Sequence, residues 1–176
     1  MVEFRSAQEA AAHPVVSLLR ELTHTYHAFS LCESHHLRST GLTQSQAEVV
    51  FTLGQTGPQS CKELGHRALI TKGTLTGILD RLEHKGLILR SPSRHDRRMM
   101  IVSLSTSGQA LFETAYPEYV AQLAERAEIY TPPEDRQMRD ALRKLRALFA
   151  QPADDVERVT PRESDRCSVL HLRRMD

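Results

Sequence analysis

Side chains that can bind phosphate are concentrated in the middle of the chain. From Ser60 to Ser103, nine lysines and arginines stand against four carboxylates, a net charge of +5, whereas the whole 176-residue chain carries only +1. Three arginines, Arg94, Arg97 and Arg98, fall within five residues. Guanidinium groups bind phosphate oxygens through paired hydrogen bonds. A basic segment in an acidic frame indicates a polyanion-binding surface, although charge alone also fits a solvated face.

A second group of reactive side chains lies near the N-terminus. Cys32 and His36 are four residues apart, a helical spacing that can ligate zinc. No H-E-x-x-H or C-x-x-C motif completes a ligand set, so we expect no metal site and no cofactor. The three cysteines, Cys32, Cys61 and Cys167, are too widely spaced to indicate a disulfide framework. A thiol switch at Cys32 or Cys61 stays open, because thiol reactivity depends on surroundings that a sequence does not show.

Motifs of enzymes and membrane proteins are absent from the sequence. It contains no G-x-S-x-G, no Walker A and no G-x-G-x-x-G motif, so we expect no enzyme activity. No stretch approaches the ~20 apolar residues of a membrane span. The N-terminal residues lack the apolar core of a signal peptide, which predicts a cytoplasmic protein.

Helix signals precede the basic segment and continue into it. Apolar spacing predicts a first helix from Pro14 to Arg38, ended by Gly41. Two capping boxes, at residues 43–46 (TQSQ) and 60–63 (SCKE), open a second helix and a short third helix. Thr71 is expected to cap a fourth helix that runs to Lys85.

Strand signals follow the fourth helix. Two apolar runs, at residues 87–89 and 99–104, flank the polar stretch 90–98, which predicts a β-hairpin with a basic tip. Ser105 starts a fifth helix, bent at Pro117, and a sixth runs from Thr131 to about Phe149. We therefore predict an N-terminal extension (1–13), one folded domain (14–150) and a polar C-terminal tail (151–176).

The order of helix, turn, helix and basic hairpin is that of a winged helix-turn-helix, whose second helix enters the DNA major groove. With four apolar residues of the fourth helix facing the core, Gly73 and Gly77 lie outward, where they allow close approach to a groove. We expect Asp96 to hold Arg98 in a fixed orientation. The predicted DNA-binding residues are Ser60, Lys62, Thr71, Lys72, Gly73, Thr74, Thr76, Gly77, Arg81, Arg94, Asp96, Arg97 and Arg98.

Three stretches together resemble the MarR family of bacterial regulators: LTGILDRLEHKGLI at 75–88, RHDRR at 94–98 and VSLSTSG at 102–108. Asp96 and Arg98 match the D-x-R element of that family's wing. Leu104, Ser105 and Gly108 match the residues that open its fifth helix. The resemblance implies a mainly α (α+β) winged helix-turn-helix with a two-stranded hairpin wing. It also implies a two-fold dimer built from the first and last helices, and an effector pocket between the dimerisation and DNA-binding parts.

The resemblance does not extend to the metal and thiol sensors of the family. Their histidines on the fifth helix have no counterpart between Ser105 and Ala127, and their cysteine near the start of the first helix falls around Leu19. The family's pattern also does not cover the segment after Gln151, whose role stays open.

These features predict a homodimeric repressor that binds duplex DNA at an inverted-repeat operator and leaves it on binding a small aromatic or phenolic effector. Candidate effector-binding residues are Tyr26, His27, His36 and Tyr116, which equally fit a role in packing the dimer core. One alternative is a thiol-switch regulator. The other is a winged-helix module whose arginine tip contacts an acidic protein.

Overall fold

The computed structural model describes residues 3–94, 96 and 98–149. Arg97, predicted to bind DNA, and the predicted tail 151–176 with Cys167 lie outside the described residues. The helices and strands are α1 (Ala7–Ala11), α2 (Pro14–His36), a 3-10 turn (Leu37–Thr40), α3 (Gln44–Thr56), β1 (Gln59–Ser60), α4 (Cys61–Arg67), α5 (Lys72–His84), β2 (Ile88–Pro92), β3 (Met100–Leu104), α6 (Thr106–Ala127) and α7 (Pro132–Phe149). None of these helices combines the length and apolar character needed to cross a bilayer.

The helix starts follow the capping residues of the sequence. Both predicted capping boxes are complete: the side chain of Thr43 accepts from the Gln46 backbone, and that of Ser60 accepts from the Glu63 backbone. Thr71 occupies the N-cap position of α5, but its side chain makes no capping bond. Its hydroxyl lies 3.1 Å from that of Thr74 instead. Thr71 thus occupies the predicted N-cap position, but the prediction that its side chain caps the helix by a hydrogen bond is wrong.

The winged-helix prediction is confirmed, with three differences in detail. A short helix, α1, precedes the predicted first helix. That helix ends at His36 rather than Arg38, and the 3-10 turn carries the chain to Gly41 at φ 65°. The sheet has three antiparallel strands in the order β1-β3-β2, so the two-stranded prediction missed β1. Only two residues, Gln59 and Ser60, pair with β3, too few for a strand pattern to show in the sequence.

The core lies between α3, α5 and the sheet. The side chains of Leu64, Leu79, Leu82, Ile88 and Val102 are all but inaccessible to solvent. The four residues of α5 that were predicted to face the core are all buried: Leu75, Ile78, Leu79 and Leu82. The opposite face of α5 therefore points away from the core. Burial of this kind stabilises a domain by about 1.5–3 kcal/mol per large side chain.

The long helices α2 and α7 differ from the rest of the domain. Neither contains a residue buried within the single chain. Large apolar side chains lie exposed along both, including Leu18 and Phe29 on α2 and Leu142 and Phe149 on α7. Exposed apolar surface on this scale is typical of an interface between proteins.

Candidate nucleic-acid interface

The turn between α4 and α5 is held tightly by backbone hydrogen bonds. The Ile70 N–H donates to the Gly65 carbonyl at 2.9 Å, and the Ala68 N–H donates to the Leu64 carbonyl at 2.8 Å. A Cβ at Gly65 would lie 3.0 Å from the Ile70 carbonyl oxygen, so a side chain there would crowd the turn. These contacts fix the angle at which α5 leaves α4.

The outward face of α5 carries little side-chain bulk. Gly73 and Thr76 are exposed and Gly77 is half-buried. A Cβ placed on Gly73 would meet nothing within 4 Å, and one on Gly77 would meet only the Arg81 guanidinium, 3.7 Å away. Each glycine costs a helix up to ~1 kcal/mol relative to alanine. Packing inside the chain does not require either of them, so the flat surface they leave is available to a partner.

The wing is joined to α5 by one arginine. Arg90 on β2 contacts Asp80 through Nη2 and Oδ1 at 2.6 Å, and its Nε lies 3.5 Å from Glu83 Oε2. The Arg90 side chain is only 13% exposed. It therefore ties the wing to the helix instead of extending toward solvent, and it accounts for the position of Asp80 on the outward face.

The tip of the wing is organised by Asp96. Its carboxylate accepts from the Arg98 backbone N–H at 2.9 Å, and its carbonyl accepts from the Met99 N–H, also at 2.9 Å. The Ser93 N–H donates to the Met99 carbonyl at 2.8 Å, which closes the loop. Asp96 thus holds Arg98, as expected, and it does so through the backbone N–H of Arg98. Arg94 and Arg98 are exposed at this tip.

The remaining predicted DNA-binding residues lie at the start of α4, at the start of α5 and, in the case of Arg81, in the last turn of α5. Five of them are exposed: Lys62, Thr71, Lys72, Thr74 and Arg81. The Ser60 hydroxyl lies 2.8 Å from Glu63 Oε2, a contact that also lowers the pKa of Glu63. Ser60 therefore acts first as a helix cap. Contact of any of these residues with DNA stays a prediction.

A cavity of about 200 Å³ lies between the 3-10 turn and α6. Its lining consists of His36, Leu37, Ser39, Thr40, Leu111, Thr114, Ala115, Glu118, Tyr119 and Gln122. Of the four candidate effector-binding residues, only His36 is among them. No local signal marks the other lining residues in the sequence, because they come together only when the 3-10 turn packs on α6.

The other three candidates lie elsewhere in the single chain. Tyr26 is 67% exposed and His27 is also exposed, because both lie on the face of α2 that the domain leaves uncovered. Tyr116 stacks on Phe112 with ring centroids 5.1 Å apart and meets Phe51 edge-on at 5.2 Å. The structure thus does not bring Tyr26, His27 and Tyr116 together with His36. Tyr116 packs against the core of its own chain, and a role of these residues in the dimer core stays a prediction.

A polar network borders this cavity and links α2, α3 and α6. Glu33 accepts from the Tyr119 hydroxyl at 3.3 Å and from Gln44 Nε2 at 3.0 Å. Partial burial raises the pKa of Glu33, while the hydrogen bonds from Tyr119 and Gln44 oppose the rise. Burial, together with the Glu33 carboxylate, raises the pKa of Tyr119 far above its usual range, so the phenol keeps its proton.

Replacement of Glu33 by glutamine is expected to change how stability depends on pH. Because the folded-state pKa of Glu33 is raised, its contribution is present below the ordinary glutamate pKa of ~4.3 and is lost as pH rises through the raised value. Between pH 4 and 7, the free energy of unfolding measured in urea should therefore include a contribution from Glu33 that falls as pH rises. The variant should lack this contribution. We expect less than about 1 kcal/mol, because solvent screens this half-exposed carboxyl. Glu118→Gln, at an exposed position, is the matched control, and parallel curves for wild type and Glu33→Gln would contradict the expectation.

The thiol of Cys32 lies close to a histidine ring. Cys32 is half-buried, with Sγ 3.7 Å from Nδ1 of His36. Cys61 is also half-buried, at the first position of α4, and packs against the core. Within the described part of the chain, no three metal-ligating side chains lie close enough to share an ion.

Comparison with known proteins gives the same fold and the same class of protein. The sequence model of the MarR family matches residues 42–100, from the start of α3 into the wing. The homoprotocatechuate degradative operon repressor of Escherichia coli is 30% identical over 115 residues, which are 65% of this chain and 78% of that protein.

Two solved structures extend the comparison to the whole fold. A mutant of Escherichia coli MarR complexed with operator DNA has a TM-score of 0.67 and 26% identity, over 74% of this chain and 94% of that one. Bordetella bronchiseptica BpsR, whose DNA binding is regulated by 6-hydroxynicotinic acid, has a TM-score of 0.65 and 25% identity, over 73% and 98%. With its winged helix, its exposed α5 and these relatives, the chain belongs to the MarR family of transcriptional regulators.

Proposed function

We propose that this regulator is a homodimeric repressor that places α5 in the major groove of an inverted-repeat operator and the wing tip against the adjacent minor groove. The observation that carries the proposal is the outward face of α5, where Gly73 and Gly77 leave room for a groove beside the basic wing. Residues 14–150 form the DNA-binding and dimerisation unit in this proposal. The relative solved in complex with operator DNA supports binding to an operator.

A second copy of the chain is the proposed partner of α2 and α7. Both helices are amphipathic, and their apolar sides lack cover in the single chain. Joining two copies along these helices removes that surface from water and presents two α5 helices to one duplex. Two-fold symmetry then requires half-sites about one turn of DNA, or ~34–36 Å, apart.

Selection of bound sequences from random duplexes tests this proposal. We expect an inverted repeat, a dimer by sedimentation, and an affinity that falls steeply as salt increases. A monomer at micromolar concentration, or selected sites without symmetry, would contradict the dimer. Weak DNA binding whose affinity does not depend on salt concentration, together with capture of acidic proteins, would favour the protein-interaction module.

We further propose that the cavity beside α6 receives the effector, a single-ring aromatic acid or phenol. An apolar cavity of ~150 Å³ accommodates benzene, so about 200 Å³ is enough for one substituted ring. His36 and Tyr119 supply polar groups beside the apolar Leu37 and Leu111. The relatives named for homoprotocatechuate degradation and for 6-hydroxynicotinic acid support this class of ligand.

Narrowing the cavity is expected to make the protein less sensitive to the effector without changing its affinity for DNA. Thr114 lines the cavity, and its hydroxyl bonds within its own helix, to the Ala110 carbonyl. Thr114→Leu should raise by about tenfold the concentration of 6-hydroxynicotinic acid or homoprotocatechuate that releases the selected operator. Thr114→Val, which has the shape of threonine, is the matched control and should behave like the wild type.

The same titration separates the alternatives. Equal sensitivity of both Thr114 variants would place the effector elsewhere. Release by an organic peroxide alone, abolished by Cys32→Ser, would replace the ligand by a thiol switch. The contact between Cys32 and His36 is the observation that supports a thiol-switch regulator as the second candidate function.

A further inference from the structure

Leu69 has a backbone conformation that its side chain disfavours. Its φ is +54°, and it is the only residue other than glycine with a positive φ in the described part of the chain. A Cβ in this left-handed region crowds the following carbonyl group, which is why glycine or asparagine usually stands there. The leucine side chain is also 91% exposed, so it gains no burial within the chain to offset the strain.

The surrounding turn, and not Leu69, dictates this conformation. Ala68 ends α4 and Ile70 donates back to the Gly65 carbonyl at 2.9 Å, which is the six-to-one bond of a Schellman helix end. Ile70 is half-buried against the core and anchors the far side of the turn. Any residue at position 69 must therefore take a left-handed backbone, and glycine would do so without strain.

The position of Leu69 indicates what an outward apolar side chain could meet. It stands two residues before the N-cap of α5, at the end of the helix that enters the groove in the proposed function. Its exposed neighbours Arg67, Thr71 and Lys72 carry charge and hydroxyl groups suited to phosphate. The apolar group that a duplex offers at the edge of the major groove is the methyl group of thymine.

We propose that Leu69 is a specificity-determining operator contact that packs against a thymine methyl group beside the bases faced by the start of α5. This inference rests on the proposed DNA-binding function. It explains why a strained, exposed leucine stands where glycine would be more stable: the side chain becomes buried only in the complex.

Three variants and one change in the DNA test the proposal. Leu69→Gly and Leu69→Asn relieve the backbone strain and should raise the melting temperature by a few degrees. Both should weaken binding to the selected operator about tenfold, with an unchanged salt slope, because every phosphate-binding side chain is still present. Leu69→Met keeps an apolar side chain of similar reach and should bind within about twofold of the wild type.

Replacing single thymines of the operator by deoxyuridine removes one methyl group at a time. At one position in each half-site, this change should weaken the wild type while leaving Leu69→Gly unaffected. Unchanged affinity of Leu69→Gly, or equal uracil sensitivity in wild type and variant, would overturn the proposed thymine contact. Failure of the wild type to bind any duplex in a salt-dependent manner would instead overturn the proposed function, so the two failures are distinguishable.

Discussion

Replacing Gly108 by alanine is expected to destabilise the domain by more than about 3 kcal/mol, among the largest effects of a single added methyl group. A Cβ at this position would lie 1.9 Å from the Leu87 carbonyl oxygen and 2.9 Å from its carbon. The carbonyl is not free to move, because it accepts from the Ser105 N–H at 3.0 Å and the Ser105 hydroxyl donates to the neighbouring Gly86 carbonyl at 2.5 Å. The start of α6 is thus packed directly on the chain that leads into β2.

Urea unfolding followed by circular dichroism measures this effect. Gly73→Ala is the matched control, since it adds the same methyl group to a helix where nothing lies within 4 Å. We expect the control to gain up to ~1 kcal/mol from better helix propensity. A Gly108→Ala protein within about 1 kcal/mol of the wild type would show that the start of α6 can shift away from Leu87 at little cost.

Replacing Arg94 and Arg98 of the wing tip by alanine should weaken operator binding at least about 100-fold at physiological salt. Arg94 and Arg98 are exposed, so Arg94→Ala/Arg98→Ala should leave the melting temperature unchanged. In a dimer the double variant removes four guanidinium groups from the DNA surface. The slope of log affinity against log salt should therefore become shallower, by up to about 0.9 for each phosphate that is no longer neutralised.

A charge-matched variant makes this prediction specific. Arg38 and Arg126 are exposed outside α5 and the wing, so Arg38→Ala/Arg126→Ala changes the net charge equally. At physiological ionic strength, charges more than about 8 Å from the DNA are largely screened, and this control should bind like the wild type. Equal reductions in affinity for both double variants would mean that net charge, and not the wing, governs binding.

The sequence predicted most accurately what is encoded locally. The capping boxes at Thr43 and Ser60 start their helices as expected, since a cap depends on residues three positions apart. The apolar stripe of α5 is buried as expected, because helical periodicity alone determines which residues share a face. Resemblance to the family identified Gly108, but only the structure shows why the position excludes a side chain.

Features made by distant segments were predicted less well. β1 depends on pairing between Gln59 and Val102, which are far apart along the chain, and no local pattern marks it. The effector candidates Tyr26 and His27 were selected by residue type, whereas the cavity is formed by the 3-10 turn that packs on α6. Thr114 and Gln122 went unnoticed, because nothing in their local sequence distinguishes them from surface residues of a helix.

The bond network of Arg90 bears on how an effector could act. Since Arg90 joins α5 to β2 through Asp80 and Glu83, we expect α5 and the wing to reorient together. A ligand that releases the operator would then change the distance between the two DNA-binding units of a dimer, each made of α5 and its wing. The structure of each unit would stay the same. Induction in such a protein would change the preferred spacing between half-sites, while the order of preference among base sequences within a half-site stays the same.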